Sequence, residues 1–147
     1  MRKRTPLLMA ILLLLPLAAA RSLAAAEPAA VRVVACTGVA DRAPTGAAST
    51  FPADVGHVWC FCEIRDAGAG MDLTHLWTLN GKIVARIPLK ASGARWRTWS
   101  EKKILPAETG RWKVAVLDAS GKELGSVEFE VGSAGASAAP AKTGKRP

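Results

Sequence analysis

Short β-branched and aromatic runs recur along the middle of the chain, and glycine, proline, asparagine or aspartate separates each run from the next. Such runs are typical of β-strands, and the separators between them are typical of turns and loops. The pattern predicts seven strands, at residues 30–37, 56–65, 72–79, 82–89, 94–100, 110–117 and 124–131. After residue 26, no run of apolar residues recurs with the period of an α-helix. We therefore predict an all-β fold, a single immunoglobulin-like antiparallel β-sandwich.

Local signals refine the predicted order of the strands. The run at residues 56–65 is apolar on both alternating faces, which is typical of a central strand in a sheet covered on both sides. Asn80-Gly81 tolerates the positive φ angles of a type I′ turn and predicts a hairpin between its flanking strands. Pro88 cannot donate a ladder hydrogen bond, so its strand ends there or lies at a sheet edge. Residues 38–54 are rich in proline and small residues and are predicted to form a long loop.

The N-terminal segment has the three parts of a secretory signal peptide. A basic start, Arg2-Lys3-Arg4, precedes an apolar stretch from Pro6 to Ala20, and Ala24-Ala25-Ala26 precedes Glu27. We predict a signal peptide at residues 1–26 that is cleaved on export to the periplasm or the medium. Arg21 interrupts the apolar stretch too early for a membrane span, and no later stretch is long enough, so none is expected in the mature chain.

A lipoprotein signal is the alternative to simple cleavage. Residues 33–36 loosely match a lipoprotein processing site, in which Cys36 would carry the lipid. Arg21, Glu27 and Arg32 precede that cysteine, at positions where such a signal does not place charges. Lipidation of Cys36 is therefore disfavoured, and the same residues suit a first β-strand.

The charge of the chain is concentrated at its ends. The chain has 147 residues and a net charge of +8, and its length suits one domain, at residues 27–131. Seven of the 20 basic residues lie in the leader and in a tail at residues 132–147, which we predict to be disordered. The other 13 meet 12 acidic residues. The domain is thus almost neutral and lacks the broad basic footprint of a nucleic-acid-binding protein.

The three cysteines leave two interpretations open. In an oxidising compartment, Cys36 could form a disulfide with Cys60 or Cys62, which share a strand face, and one thiol would be left over. Alternatively, all three pack as small apolar side chains. Thiol redox catalysis is disfavoured because Cys-x-Cys on a strand lacks the helix N-terminus that lowers a thiol pKa. We expect no cofactor and no metal site, since His57 points away from Cys60 and Cys62.

Cations alternate with indoles in the segment from Arg95 to Lys103. One strand face carries Arg95, Arg97 and Trp99, and a guanidinium beside an indole can hold an anionic or polar ligand. Packing of an arginine stem over a core indole is the structural alternative. His75 is a candidate general base, although a lone histidine on a strand is more often a hydrogen-bonded structural residue.

Two functional hypotheses follow. In the first, a non-catalytic binding or envelope-associated module uses His75 and Trp77 on one hairpin strand with Arg97 and Trp99 after the next turn. Its partner would be an envelope protein or a glycan, and its oligomeric state stays open. In the second, a small envelope hydrolase uses His75 as base and Arg97 as electrophilic stabiliser. An open cleft between His75 and Arg97 would favour the hydrolase, and their burial would favour a structural role.

Several motifs of the domain together resemble a bacterial family known as domain of unknown function 2914. They are Phe51-Pro52-Ala53-Asp54-Val55-Gly56, Phe61 with Glu63-Ile64, His75-Leu76-Trp77, Trp96-Arg97-Thr98-Trp99-Ser100, Gly110-x-Trp112-x-Val114-x-Val116, Gly121 and Phe129-x-Val131. The resemblance extends from about Val31 to Val131. It implies an extracytoplasmic β-rich domain, which follows membrane segments in some relatives, and it supplies no activity, substrate or catalytic residue. The motif positions that it marks are His75, Trp77, Trp96, Arg97, Ser100 and Trp112.

Overall fold

Ten β-strands make up residues 30–132, the part of the chain that the computed structural model describes. Their bounds are β1 Ala30–Cys36, β2 Gly38–Ala40, β3 Ala43–Thr45, β4 Thr50–Phe51, β5 His57–Arg65, β6 Met71–Leu79, β7 Lys82–Ala91, β8 Arg95–Lys103, β9 Gly110–Asp118 and β10 Glu123–Val131. The seven longer strands are those that the apolar pattern predicts. The largest difference is at β8, which continues past the predicted end at residue 100 to Lys103.

The segment at residues 38–54 corrects the prediction of a loop. It contains the short strands β2, β3 and β4. Strands β2 and β3 pair with each other, and their turn places Asp41 and Arg42 at φ angles of 49° and 57°. These are left-handed conformations that usually require glycine or asparagine. The hairpin was missed because the Asp-Arg turn carries no glycine signal.

Two sheets pack face to face as a sandwich. One has the order β1-β5-β8, and the other has the order β4-β10-β9-β6-β7. All pairs are antiparallel except β4 with β10. If β1, β5 and β8 are labelled A, B and E, and β6, β7, β9 and β10 are labelled C, C′, F and G, the order is that of an immunoglobulin-like sandwich without strand D. The predicted fold class is confirmed.

Strand β5 lies in the middle of the three-stranded sheet, as its apolar pattern predicts. Val58, Cys60, Cys62 and Ile64 project into the core, and all four are fully buried. Phe61 and Glu63 alternate with them on the outer face of this sheet and are also buried. Both faces of β5 are therefore covered, which explains the absence of a polar alternation in its sequence.

Aromatic side chains dominate one end of the core. The rings of Trp112 and Phe129 stack in parallel with centroids 6.1 Å apart, and Trp77 meets both rings edge-on. Phe51 of β4 packs edge-on against Phe129 with centroids 5.4 Å apart. Such pairs add about 0.5–1.5 kcal/mol each beyond the burial of their area. The other end of the core contains smaller side chains, among them Cys62, Ile64, Leu73, Ala91 and Val116.

The predicted hairpin at Asn80-Gly81 is confirmed, and it is joined to the start of β9. Asn80 and Gly81 have φ angles of 48° and 80°, as a type I′ turn requires. The side-chain Oδ1 of Asn80 accepts a hydrogen bond from the backbone N–H of Arg111 at 3.0 Å. A Cβ on Gly110 would collide with the Asn80 side chain, and Gly110 has a φ of 123°, so this position favours glycine. Pro88 lies in β7, which forms an edge of the five-stranded sheet, as predicted.

The predicted leader, and the predicted tail from residue 133 onward, lie outside the described residues. Within residues 30–132, no helix is long and apolar enough to cross a membrane.

Candidate functional site

His75 and Trp77 lie on the core face of β6 and are both 0% exposed. Alternation along the strand brings both side chains to the side that faces β8 of the opposite sheet. Ser100 of β8 projects inward to meet them. Its Oγ lies 2.8 Å from Nδ1 of His75 and accepts a hydrogen bond from Nε1 of Trp77 at 3.1 Å. One hydroxyl thus joins the two sheets through two side chains.

The hydrogen bonds of this bridge favour one tautomer of His75. When Trp77 donates to Oγ and the Ser100 hydroxyl donates to Nδ1, the indole N–H, the hydroxyl and Nδ1 all have a partner. Nε2 of His75 then carries the proton, and this buried atom has no hydrogen-bond partner among the described residues. Burial lowers the pKa of His75 to about 4, which keeps the ring neutral near pH 7. The bridge is therefore an uncharged structural element in the core.

Arg97 lies on the opposite face of the three-stranded sheet from Ser100. There, Arg65, Arg95 and Arg97 surround the buried carboxylate of Glu63. Nη2 of Arg95 donates to Oε2 at 2.7 Å, and Nε of Arg97 donates to the same oxygen at 3.0 Å. Hydrogen bonds from Arg95 and then Arg97 lower the pKa of Glu63 to about 2. Arg32 of β1 pairs in register with Glu63 from the other side. We call this outer surface, with Arg32, Arg65, Arg95 and Arg97 around Glu63, the arginine face.

A cavity of about 480 Å³ opens beside the arginine face. It is lined by Arg42, Arg95, Trp96, Arg97 and Trp99, and we call it the arginine pocket. The β2–β3 hairpin contacts β1 and β5, and its turn brings Arg42 to the pocket. Trp99 is 40% exposed, and Trp96 is 39% exposed. Large indoles left this open to water are available to a ligand.

The four residues predicted as one binding site belong to two places. His75 and Trp77 meet Ser100 in the core, whereas Arg97 and Trp99 line the arginine pocket on the outer side of the same sheet. The register of β5 with β8 shows the reason, since Cys60 pairs with Ser100 on the inner face and Glu63 pairs with Arg97 on the outer face. No open cleft between His75 and Arg97 exists in the described part of the chain.

Comparison with protein families supports the resemblance over part of the domain. The family described as "Protein of unknown function (DUF2914)" matches residues 71–131. We call residues 71–131, the part of the chain that matches this family, the DUF2914 segment. No curated protein matches the chain.

The DUF2914 segment contains the complete core bridge, His75, Trp77 and Ser100, and it contains Arg95 and Arg97 of the arginine pocket. Its match begins at Met71, after Phe51–Gly56 and Glu63-Ile64, which also carried the resemblance. Arg42 also lies before the segment. The DUF2914 match therefore covers the bridge and only part of the arginine face.

The sequence alone does not predict the roles of Glu63, Arg42 and Ser100 in the arginine face, the arginine pocket and the core bridge, and the reasons differ. Strand alternation places Arg95 with Arg97, whereas the apolar strand and the resemblance motif that contain Glu63 give it no role. The same alternation, applied to β5, would have placed Glu63 on the outer face. Arg42 had no local signal, because its position depends on how the β2–β3 hairpin folds against the sheet. Ser100 was marked by the resemblance without a role, and the structure supplies that role.

The three cysteines are free and buried. Cys60 and Cys62 face the core, while Cys36 lies on the outer face, where it pairs in register with Trp59. No disulfide joins them in the structure, which is the arrangement expected if all three pack as small apolar side chains. Burial raises the pKa of Cys62 to about 12 and that of Cys60 well above its ordinary value, the opposite of thiol activation. Within residues 30–132, no three histidine, cysteine or acidic side chains form a group that could hold a metal ion.

Proposed function

We propose that this protein is an exported, non-catalytic binding module that holds an anionic ligand in its arginine pocket. One observation carries the proposal. In a domain that is almost neutral, three arginines of the three-stranded sheet form ion pairs with the buried carboxylate of Glu63. Arg32 lies beside it in register, and Arg42 of the hairpin lines the cavity next to these arginines. The local surplus of positive charge attracts anions and orients them on approach.

Glu63 acts on this surface as an internal counterion that fixes the guanidinium groups. It occupies one Nη of Arg95 and the Nε of Arg97. Because each guanidinium has five N–H donors, both arginines keep donors that point away from Glu63. Arg42 forms no hydrogen bond or ion pair with any other described residue. The pocket thus combines two pre-oriented guanidiniums with one uncompensated guanidinium, and planar guanidiniums suit carboxylate and phosphate groups.

The two indoles of the pocket suggest a ligand that has a flat apolar surface beside its charge. Trp96 and Trp99 expose about two fifths of their area, although five other large aromatics of the described residues are buried. A pyranose ring that carries a carboxylate has both properties. An acidic glycan is therefore the ligand class that we propose.

The burial of His75 supports the non-catalytic part of the proposal. A general base must come within hydrogen-bonding distance of its substrate, directly or through one water. His75 is fully enclosed, its Nδ1 is used by Ser100, and a sheet separates it from Arg97. The hydrolase hypothesis required these two side chains in one cleft, so we propose no reaction.

Binding is tested by isothermal titration and by NMR shifts of the indole N–H groups, with D-glucuronate as probe and D-glucose as the uncharged control. We expect saturable binding of glucuronate, with a Kd of about 1 mM, which is typical of a single small ligand. Arg42→Ala should weaken it about tenfold, because one charge-assisted hydrogen bond is lost. The matched control Arg86→Ala removes an exposed arginine from the other sheet and should change nothing. Equal binding of glucose, no binding of glucuronate, or full affinity in Arg42→Ala would contradict the proposal.

The proposal of export rests on the leader sequence at residues 1–26. Its test is the intact mass of the protein recovered from the periplasm or the medium of the producing cells. A mass that starts at Glu27, with no added lipid, is expected. A protein retained inside the cell with its leader, or one that carries lipid on Cys36, would contradict this part of the proposal and leave the ligand measurement unaffected.

A further inference from the structure

A second cavity, of about 570 Å³, lies beside the arginine pocket. It is lined by Ala69, Gly70, Met71, Asp72, Lys90, Ala91, Ser92 and Trp96. Trp96 lines both cavities. Each volume falls within the range of about 300–1,000 Å³ that is usual for small-molecule sites.

Trp96 can serve two cavities because β8 is an edge strand. Its side chain leaves the strand on the core face, opposite to Arg95 and Arg97, and it pairs in register with the buried Ile64. A side chain at this position in a central strand would be enclosed. Here β8 has a neighbour on one side only, so 39% of Trp96 stays exposed at the open edge of the sheet. The indole therefore separates the outer surface from the space near β6 and β7.

The second cavity differs from the arginine pocket in its chemistry. Its two charged residues, Lys90 and Asp72, form an ion pair with each other across β6 and β7. Ser92 adds a hydroxyl, and Met71 and Ala91 add apolar surface. A site whose charges cancel, with hydrogen-bonding groups beside apolar surface, suits an uncharged polar ring.

We infer that the two cavities are consecutive subsites of one cleft that crosses the edge of β8, and that its ligand is an acidic oligosaccharide. The carboxylated ring lies in the arginine pocket, the adjoining uncharged ring lies in the second cavity, and Trp96 is the wall between them. This inference rests on the proposed function and extends it, because it assigns a second subsite and a minimum ligand length.

The experiment compares D-glucuronate with a tetrasaccharide of alternating glucuronate and N-acetylglucosamine, by isothermal titration at fixed ionic strength. We expect the tetrasaccharide to bind about tenfold more tightly than the monosaccharide, since the second ring adds contacts without a second loss of translational freedom. The double variant Asp72→Ala/Lys90→Ala removes the two charged side chains of the second cavity and leaves the net charge unchanged. It should lose the tenfold gain and keep the affinity for glucuronate.

The double variant Lys113→Ala/Glu123→Ala is the matched control, because it removes another exposed ion pair, between β9 and β10. It should bind both probes as the natural protein does. If glucuronate binds and the tetrasaccharide binds no more tightly, the second subsite is wrong and the proposed function stands. A gain that persists in Asp72→Ala/Lys90→Ala also overturns the second subsite. If neither probe binds, the proposed function itself fails.

Discussion

The hydroxyl of Ser100 lies 2.8 Å from Nδ1 of His75, and this contact crosses the core between the two sheets. Trp77 donates to the same oxygen. On β6, His75 stands between Leu73, which belongs to the smaller apolar cluster, and Trp77, which belongs to the aromatic one. The bridge thus marks the boundary between two parts of the core. A polar contact at this place fixes how one sheet is positioned on the other, because any slip leaves buried polar atoms unpaired.

Ser100→Ala is expected to lower the free energy of unfolding by about 2–4 kcal/mol, since Nδ1 of His75 and Nε1 of Trp77 each lose their partner. Urea denaturation followed by tryptophan fluorescence measures the change. Ser49→Ala, at an exposed serine outside the bridge, is the control and should stay within about 0.5 kcal/mol of the natural protein. If Ser100→Ala also changes the free energy of unfolding by less than about 0.5 kcal/mol, the bridge contributes little to stability.

Acid should destabilise the domain through His75. Its pKa falls from 6.5 in the unfolded chain to about 4 in the folded protein because of burial. Below pH 6.5, the unfolded chain therefore binds a proton that the folded protein does not bind, and the stability present at neutral pH is lost progressively down to pH 4. The contribution amounts to about 1.4 kcal/mol per pH unit within this window.

Urea denaturation at successive pH values between 6.5 and 4.5 measures this slope. His75→Asn keeps an acceptor near the position of Nδ1 and cannot titrate, so its stability should vary less with pH, whatever its stability at pH 7. Val114→Ala, which removes buried apolar atoms and no titratable group, should lower the stability and keep the slope of the natural protein. Equal slopes in the natural protein and His75→Asn would refute the assignment.

Much of the fold can be predicted from local sequence signals, whereas the arrangement of the candidate site cannot. Strand periodicity and the Asn80-Gly81 turn are local properties, so the seven long strands and the hairpin could be predicted from them. The β2–β3 hairpin could not, because the Asp41-Arg42 turn adopts a backbone conformation that its residue types do not favour.

The candidate site shows the same limit. Alternation along β8 placed Arg95, Arg97 and Trp99 on one face correctly. It did not show that this face points away from His75, because the orientation of β8 depends on which side of the sheet packs on β6. The packing of Ser100 and its neighbours against β6 decides which face of β8 points into the core. The sequence of β8 alone does not contain this information.

Glu63→Gln is expected to lower the free energy of unfolding by about 1–3 kcal/mol at pH 7, because three arginines lose their shared carboxylate. The pKa of Glu63 is lowered from 4.5 to about 2, so its contribution is present above pH 4.5 and is lost as the pH falls towards 2. The difference between the natural protein and Glu63→Gln should therefore shrink over this range. Glu128→Gln, at an exposed carboxylate of β10, is the control. A difference that stays constant from pH 5 to pH 2.5 would argue against the arginine–carboxylate interaction.

The three thiols provide a test of the redox alternative. Cys36, Cys60 and Cys62 are all 0% exposed, and burial raises the pKa of each. The thiolate is the form that attacks an alkylating reagent, so burial suppresses both the access of the reagent and the fraction of reactive thiolate in the folded protein.

In the folded protein, we expect iodoacetamide to modify these cysteines at least about 100-fold more slowly than in urea, since modification requires opening of the core. Intact mass spectrometry over time gives the rates and the number of alkylated sites. Prior reduction should not raise that number, because all three thiols are free in the structure. Ala107→Cys, at an exposed position, should react at the rate of an unfolded thiol and shows that the reagent is active. Rapid modification of Cys60 or Cys62 in the native protein would favour a redox role, and a site count that rises on reduction would indicate a disulfide between Cys36 and one of them.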